Sequence, residues 1–526
     1  SDTSLATTVL NTLDGNTTGA VNAATVTTLT GTYSDVNTSY TANTASTITG
    51  LGNEAVALSD LSISASNLSS IDGLTTGDVT TSAITITGTY SEINTVYTAS
   101  GIDGLGDEAI TASGTLTVAQ ANTLDGYTTG VATATISDTT STTLASLTGT
   151  GNAYTITVGS TTTAAADLNT IDAATTVSVT ATAVTTLTGT AAAANTAYAS
   201  SGITGLGNEA VTLSDTTLAT TVLNTLDGNT TGAVNAATVT TLTGTAATAN
   251  TAYASSGITG LGNEAVTLSD TSLTSTVLNT LDGNTTGAVN AATVLTLTGT
   301  VTTINTAYAS SGISGLGNEA VTLTDTSLAA DALNTTNTNT TGTVTVQATT
   351  VTGTAGNLVT AYGAQGSGID GLGNEAVTVS SGSASVSQVN TLTAATTGTV
   401  TATVSDGDMS TLAGISESGN ALTITVTDTS AAADALNTLD GKTTVAIDAS
   451  AITTITGTGA DALTAFESEG ITGLTFDATS YLASYSDLLS AFGSDTSAAQ
   501  SHYFASGVSE GRSFDSFDES SYLASH

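Results

Sequence analysis

The chain has 526 residues, 43 of them Asp or Glu against two basic residues, Lys442 and Arg512, giving a formal net charge of −41. Such a surface repels nucleic acid and anionic lipid, which need Lys or Arg, and attracts divalent cations. With 39% hydrophobic residues, 9% charged and no Pro, the composition is that of a folded chain; without Cys it has no disulfides or thiolate metal sites, and no apolar run is long enough to span a membrane.

From Ser1 to Thr475 the chain repeats itself. It enters mid-phrase, since SDTSLATTVLNTLDGNTTGAVNAATVTTLTG at Ser1 matches the stretch from Ser269, so a processed product or a segment of something longer is expected. The phrase Leu223–Ala265 returns almost unchanged at Leu278–Ala320, a step of 55 residues. Each unit divides into halves of 27 and 28 residues, beginning for example at Ala210 and Ala237. Each half opens with alternating β-branched residues, as in ALTITVTDT from Ala421, which predicts a strand. An Ala-rich stretch containing Asn-Thr follows. In SAAADALNTLDG from Ser430 it starts at a cap candidate and ends at Gly, which predicts a short helix.

A unit that cannot bury its apolar face alone must stack on its copies. The expected fold is a repeat solenoid over residues 1–475: stacked coils of about 27 residues, with short β-strands and a short helix per coil. An all-β coil with the Ala-rich segment as a third face is the alternative. Residues 476–526 form a separate, truncated helical repeat module. All six Phe lie at or beyond Phe466, and FDATSYLAS at Phe476 restarts as FDESSYLAS at Phe517. Tyr481, Leu482, Tyr485, Leu488, Leu489 and Phe492 fall at helical spacing, with Asp477 and Ser480 as cap candidates.

Three carboxylate rows recur once per unit. The LDG phrase carries Asp14, Asp72, Asp125, Asp227, Asp282 and Asp440; the SD or TD phrase carries Asp60, Asp138, Asp215, Asp270, Asp325 and Asp428; GLGNEA and its variants carry Glu54, Glu108, Glu209, Glu264, Glu319 and Glu375. On one reading each Asp caps a helix or closes a turn through its own backbone. On the other, adjacent rows hold Ca²⁺, which takes six to eight oxygens in flexible geometry. The candidate ligands are then Asp14, Asp215, Asp227, Asp270, Asp282, Asp325, Glu209, Glu264 and Glu319. A tyrosine row, Tyr97, Tyr198, Tyr253, Tyr308 and Tyr362, reads as packing between coils or as a sugar platform. Thr-rich strands suit a sheet by propensity alone, and an ice-binding face requires a flat surface of Thr only.

Residues 1–475 contain no His or Cys and only Lys442, so no Ser-His-Asp, Cys-His or HExxH site can form there, and the expected protein is not an enzyme. The phrases VTLSDTTLATTVLNTLDGNTTG and ATVSDGDMSTLA resemble the Thr/Ala/Asp-rich tandem repeats of large surface proteins exported by type I secretion in marine cyanobacteria and proteobacteria. The tail YLASYSDLLSAFGSDTSAAQSHYFASGVSEGRSFDSF resembles a short helical repeat of type I-secreted, calcium-associated bacterial proteins. These resemblances imply an extracellular or cell-surface protein without catalytic residues. No GGxGxD phrase is present. The expected function is that of an extracellular structural protein, a subunit of a filament, surface layer or matrix that self-associates end to end into a homopolymer, with divalent cations as partners. An adhesin or binding stalk recognising glycan or ice is the alternative.

Overall fold

The computed structural model describes residues 2–514 and 517. The chain forms two compact units: residues up to 244 together with 251–265, and residues 245–250 together with those from 266 onward.

In the first unit, strands Thr162–Ala164, Thr186–Gly189, Ala210–Leu213, Val234–Asn235 and Ile258–Thr259 form one parallel sheet in that order. The alternation in TLTG and AVTL sets its register. Leu187, Val211, Val234 and Ile258 stand opposite one another and are buried, while Thr188, Thr212, Asn235 and Thr259 line the other face. Parallel neighbours cannot be joined by a tight turn and need a crossover. Here the crossover is the remainder of a coil, and it contains a helix. Strand Ala210–Leu213 pairs on one side with a strand that leads into a helix and on the other with one that leaves a helix.

The second unit repeats the plan. Strands Ser272–Thr274, Thr296–Gly299, Ala320–Leu323, Val344–Val346 and Ile369–Asp370 pair in parallel and stack Leu273, Leu297, Val321, Val344 and Ile369 inward. Burying each such side chain contributes about 1.5–3 kcal/mol.

Two kinds of helix alternate. Ala191–Ala199 buries Ala191, Ala194 and Ala197, whereas Thr220–Asn229, stacked beside it, buries Leu223 and Leu226. Small residues on one helix against leucines on the next let the coils approach without voids. At nine and ten residues neither helix would hold alone in water, so stacking supplies their stability. The fold is therefore a β/α solenoid, and the Ala-rich segment is a helix rather than a third sheet face. No described helix is long and apolar enough to cross a membrane.

The last coil ends with helix Gly459–Glu467 and strand Ile471–Thr472, after which short helices take over. The single helical run expected through Phe492 is broken at Tyr485 into Ala478–Ser484 and Ser486–Phe492. Tyr485 leaves helical geometry with its ring 4.8 Å from the Arg512 guanidinium and its hydroxyl accepting from Ser513 N at 2.6 Å. Asp477 caps the first of these helices, accepting from Thr479 N and Ser480 N. Ser480 itself is buried in the first turn and is not a cap. Helix Thr496–His502 and a π-turn, Tyr503–Gly507, complete the module. The restart expected over residues 517–525 lies outside the described residues, Phe517 excepted.

Candidate functional site

The SD row sits at helix N-termini. Asp215 Oδ2 accepts from Ala191 N at 2.8 Å, Asp270 Oδ2 from Ala246 N at 2.8 Å, and Asp325 Oδ2 from Val301 N at 2.7 Å. Asp60, Asp138 and Asp428 do the same for Tyr33, Val118 and Met409. Each of these amides opens a helix of the preceding coil. A helix leaves its first amides unpaired and carries partial positive charge there, so one carboxylate answers both. Threonine caps on the same helices take a later amide, Thr190 from Ala193 N at 3.2 Å and Thr300 from Thr303 N at 3.3 Å. These aspartates therefore cap across coils rather than through their own backbone.

The LDG row lies at the opposite ends of the other helices. Oδ2 of Asp227 accepts from Ser255 Oγ and that of Asp282 from Ser310 Oγ, both at 2.7 Å. Their Oδ1 atoms rest over Gly257 and Gly312, where a Cβ would force the carboxylate to shift. Asp14 departs from this pattern. Its Oδ2 accepts from Thr47 Oγ1 at 3.2 Å, and its Oδ1 is buried with no partner among the described residues. The chain above it carries the longer helix Tyr33–Thr44 and passes through Ser46 at φ 66°.

The glutamate row is buried. Glu209, Glu264 and Glu319 are 0% exposed. Glu209 Oε2 accepts from Tyr198 Oη at 3.0 Å, Gly207 N at 2.8 Å and Asn208 N at 3.2 Å. Tyr253 and Gly262 serve Glu264 in the same way, and Tyr308 and Gly317 serve Glu319. The tyrosine row is thus a row of donors to buried carboxylates. Burial first, then hydrogen bonding and charge from the carboxylate, pushes the hydroxyls of Tyr97 and Tyr308 well above the ordinary tyrosine range, which keeps them protonated as donors. The next coil closes over the same node. Thr230 Oγ1 donates to Glu209 O at 2.7 Å and accepts from Gly232 N at 3.0 Å, with Thr340 and Gly342 repeating this at Glu319.

A fourth row was not singled out from the sequence. In many Asn-Thr pairs the asparagine reaches across to a helix carbonyl of the following coil: Asn169 to Ala193 O, Asn195 to Val222 O, Asn279 to Thr303 O and Asn305 to Ala332 O, at 2.9–3.0 Å. The available signal was the recurrence of Asn-Thr in most of the helices.

The three carboxylate rows thus occupy three separate settings: helix N-termini, serine hydroxyls beyond the helix ends, and a buried turn. Among the described residues no three Asp, Glu, His or Cys side chains gather at one point. The outward sheet face carries Asn235 among Thr188, Thr212 and Thr259, and Asp370 beside Thr298, Thr322 and Thr345, so neither is Thr only. Comparison with family models, curated proteins and solved structures returns no match.

Proposed function

We propose that this is an extracellular structural protein, a self-associating building unit of a surface layer or matrix, and not an enzyme. The observation that carries the reading is that the recurrent polar residues bond one coil to the next: Asp to helix amide, Asp to serine, Thr to the glutamate's backbone carbonyl, Asn to carbonyl. A scaffold needs such links, and they leave no row of carboxylates assigned to a reaction. The resemblance to secreted tandem-repeat proteins supports the extracellular setting, where cations and salt would screen the charge of −41.

We expect the full chain, in salt high enough to screen its charge, to gain mass with concentration in sedimentation equilibrium. A chain that stays monomeric at all concentrations, with and without calcium, would refute self-association.

A further inference from the structure

We propose that a cleft in the second unit, between the end of helix Val386–Ala395 and the loop 414–420, binds a neutral saccharide residue through its hydroxyls. This goes beyond the structural reading and stands independently of self-association.

Two coils of the chain are shortened, and their helices, Ser141–Leu144 and Met409–Leu412, have four residues each. The two are built alike. Strands Ala132–Ile136 and Val400–Thr403 pair in parallel with the strands that follow, Thr133 opposite Ala153 and Thr401 opposite Ala421. Asp138 and Asp406 accept from Val118 N and Val386 N, the opening amides of the preceding helices. Asn152 and Asn420 are 2% and 6% exposed, and each turns its Oδ1 to the first amide of the preceding strand, Ala132 N at 2.9 Å and Val400 N at 2.8 Å. With its oxygen committed, each asparagine has only its amide hydrogens left to offer.

Here the two coils part. Asn152 Nδ2 donates to Asp125 Oδ1 at 2.7 Å, and Gly149 leaves room for that pair, since a Cβ there would run into both side chains. The second coil has Thr393 in place of Asp125 and Glu417 in place of Gly149. Asn420 Nδ2 then finds no acceptor among the described residues. Instead, Asn420, Thr393 and the exposed Glu417 line a cleft of about 460 Å³, a size within the range of small-molecule sites.

The loop that carries Glu417 is held from both sides. Asn390 Nδ2 donates to Gly414 O at 2.7 Å and Ser416 N to Asn390 Oδ1 at 3.0 Å, while Lys442 Nζ donates to Ser416 O at 2.7 Å. Lys442 is the one basic residue within 1–475, and its place in the other shortened coil is taken by Ala174. The glutamate is therefore set in position before any ligand arrives, which lowers the cost of binding.

The two polar groups select the ligand. The amide hydrogens of Asn420 oppose a cation, and the Glu417 carboxylate opposes an anion. A hydroxyl group both accepts and donates, so neighbouring hydroxyls on one sugar ring satisfy Asn420 and Glu417 together. A buried amide left unmet is costly, and a hydroxyl oxygen that reaches it is favoured accordingly.

The test is saturation-transfer NMR on the full chain, with methyl glycosides of glucose, galactose, mannose, fucose and N-acetylglucosamine as neutral probes and glucuronate as the charged one. At least one neutral glycoside should bind with a Kd of about 1 mM. Glu417→Gln should weaken that binding about tenfold. Thr393→Asp combined with Glu417→Gly rebuilds the contact of the other shortened coil, so it should abolish binding while melting no lower than the wild type. Should that variant melt lower, Glu417→Gln decides alone. A wild type that binds none of the neutral glycosides overturns the proposal, as does binding that survives these substitutions. Glucuronate bound as tightly as the neutral probes overturns it too, because the site then reads a carboxylate. None of these results bears on sedimentation of the chain, so the cleft and self-association fail separately.

Discussion

Glu209→Ala is expected to destabilise the coils around it by about 3 kcal/mol, because it removes the buried acceptor of the Tyr198 hydroxyl and the Gly207 amide. The mechanism makes a second demand. If the loss comes from the Tyr–Glu bond, Tyr198→Phe alone should cost about 1–2 kcal/mol, and the double variant should cost less than the sum. Stability in a repeat array is local, so the quantities to measure are amide exchange at Ala210 and Val211 together with the denaturant midpoint. Strict additivity of the two changes would show that the buried pair is not an energetic unit.

Gly232→Ala should be as damaging for a different reason. A Cβ at Gly232 would collide with the carbonyl of Glu209 and the amide of Ala210, and these are backbone atoms already fixed by the sheet. Gly77, Gly130, Gly342 and Gly398 meet the same obstacle at their own glutamates. Neither side can rotate away, so a loss of about 3 kcal/mol is expected. Gly228→Ala is the control. It lies in a helix with nothing close to its Cβ position and should be neutral or stabilising by up to about 1 kcal/mol. Equal midpoints for the two variants would contradict the close approach at Gly232.

The repeat, its strands and its helices were legible because each has a local signature. TLTG and AVTL alternate with period two, and ADALNTLDG starts at a small residue and ends at glycine. The partners were not legible in the same way. Asp215 reads as a turn residue because a sequence displays its nearest backbone, yet its carboxylate bonds Ala191, which becomes a neighbour only once the coils are stacked. Tyr198 and Glu209 were recognised as two rows; their union depends on the GLG turn folding back beneath the helix, where Gly205 and Gly207 take φ of 91° and 139°. The tail misled at Tyr485, whose spacing suits a helix but whose ring and hydroxyl are held by Arg512 and Ser513 more than twenty-five residues on.

The central claim is that the aspartate rows hold coil to coil through hydrogen bonds, and thermal unfolding with and without calcium tests it most directly. Calcium bound specifically to the folded chain would raise the melting temperature with its free concentration, whereas screening depends on ionic strength alone. At fixed ionic strength the account predicts the same melting temperature in millimolar calcium and in chelator. A midpoint that climbs with free calcium, and loses that climb when Asp227→Asn and Asp282→Asn are combined, would contradict it and make the aspartate rows ligands.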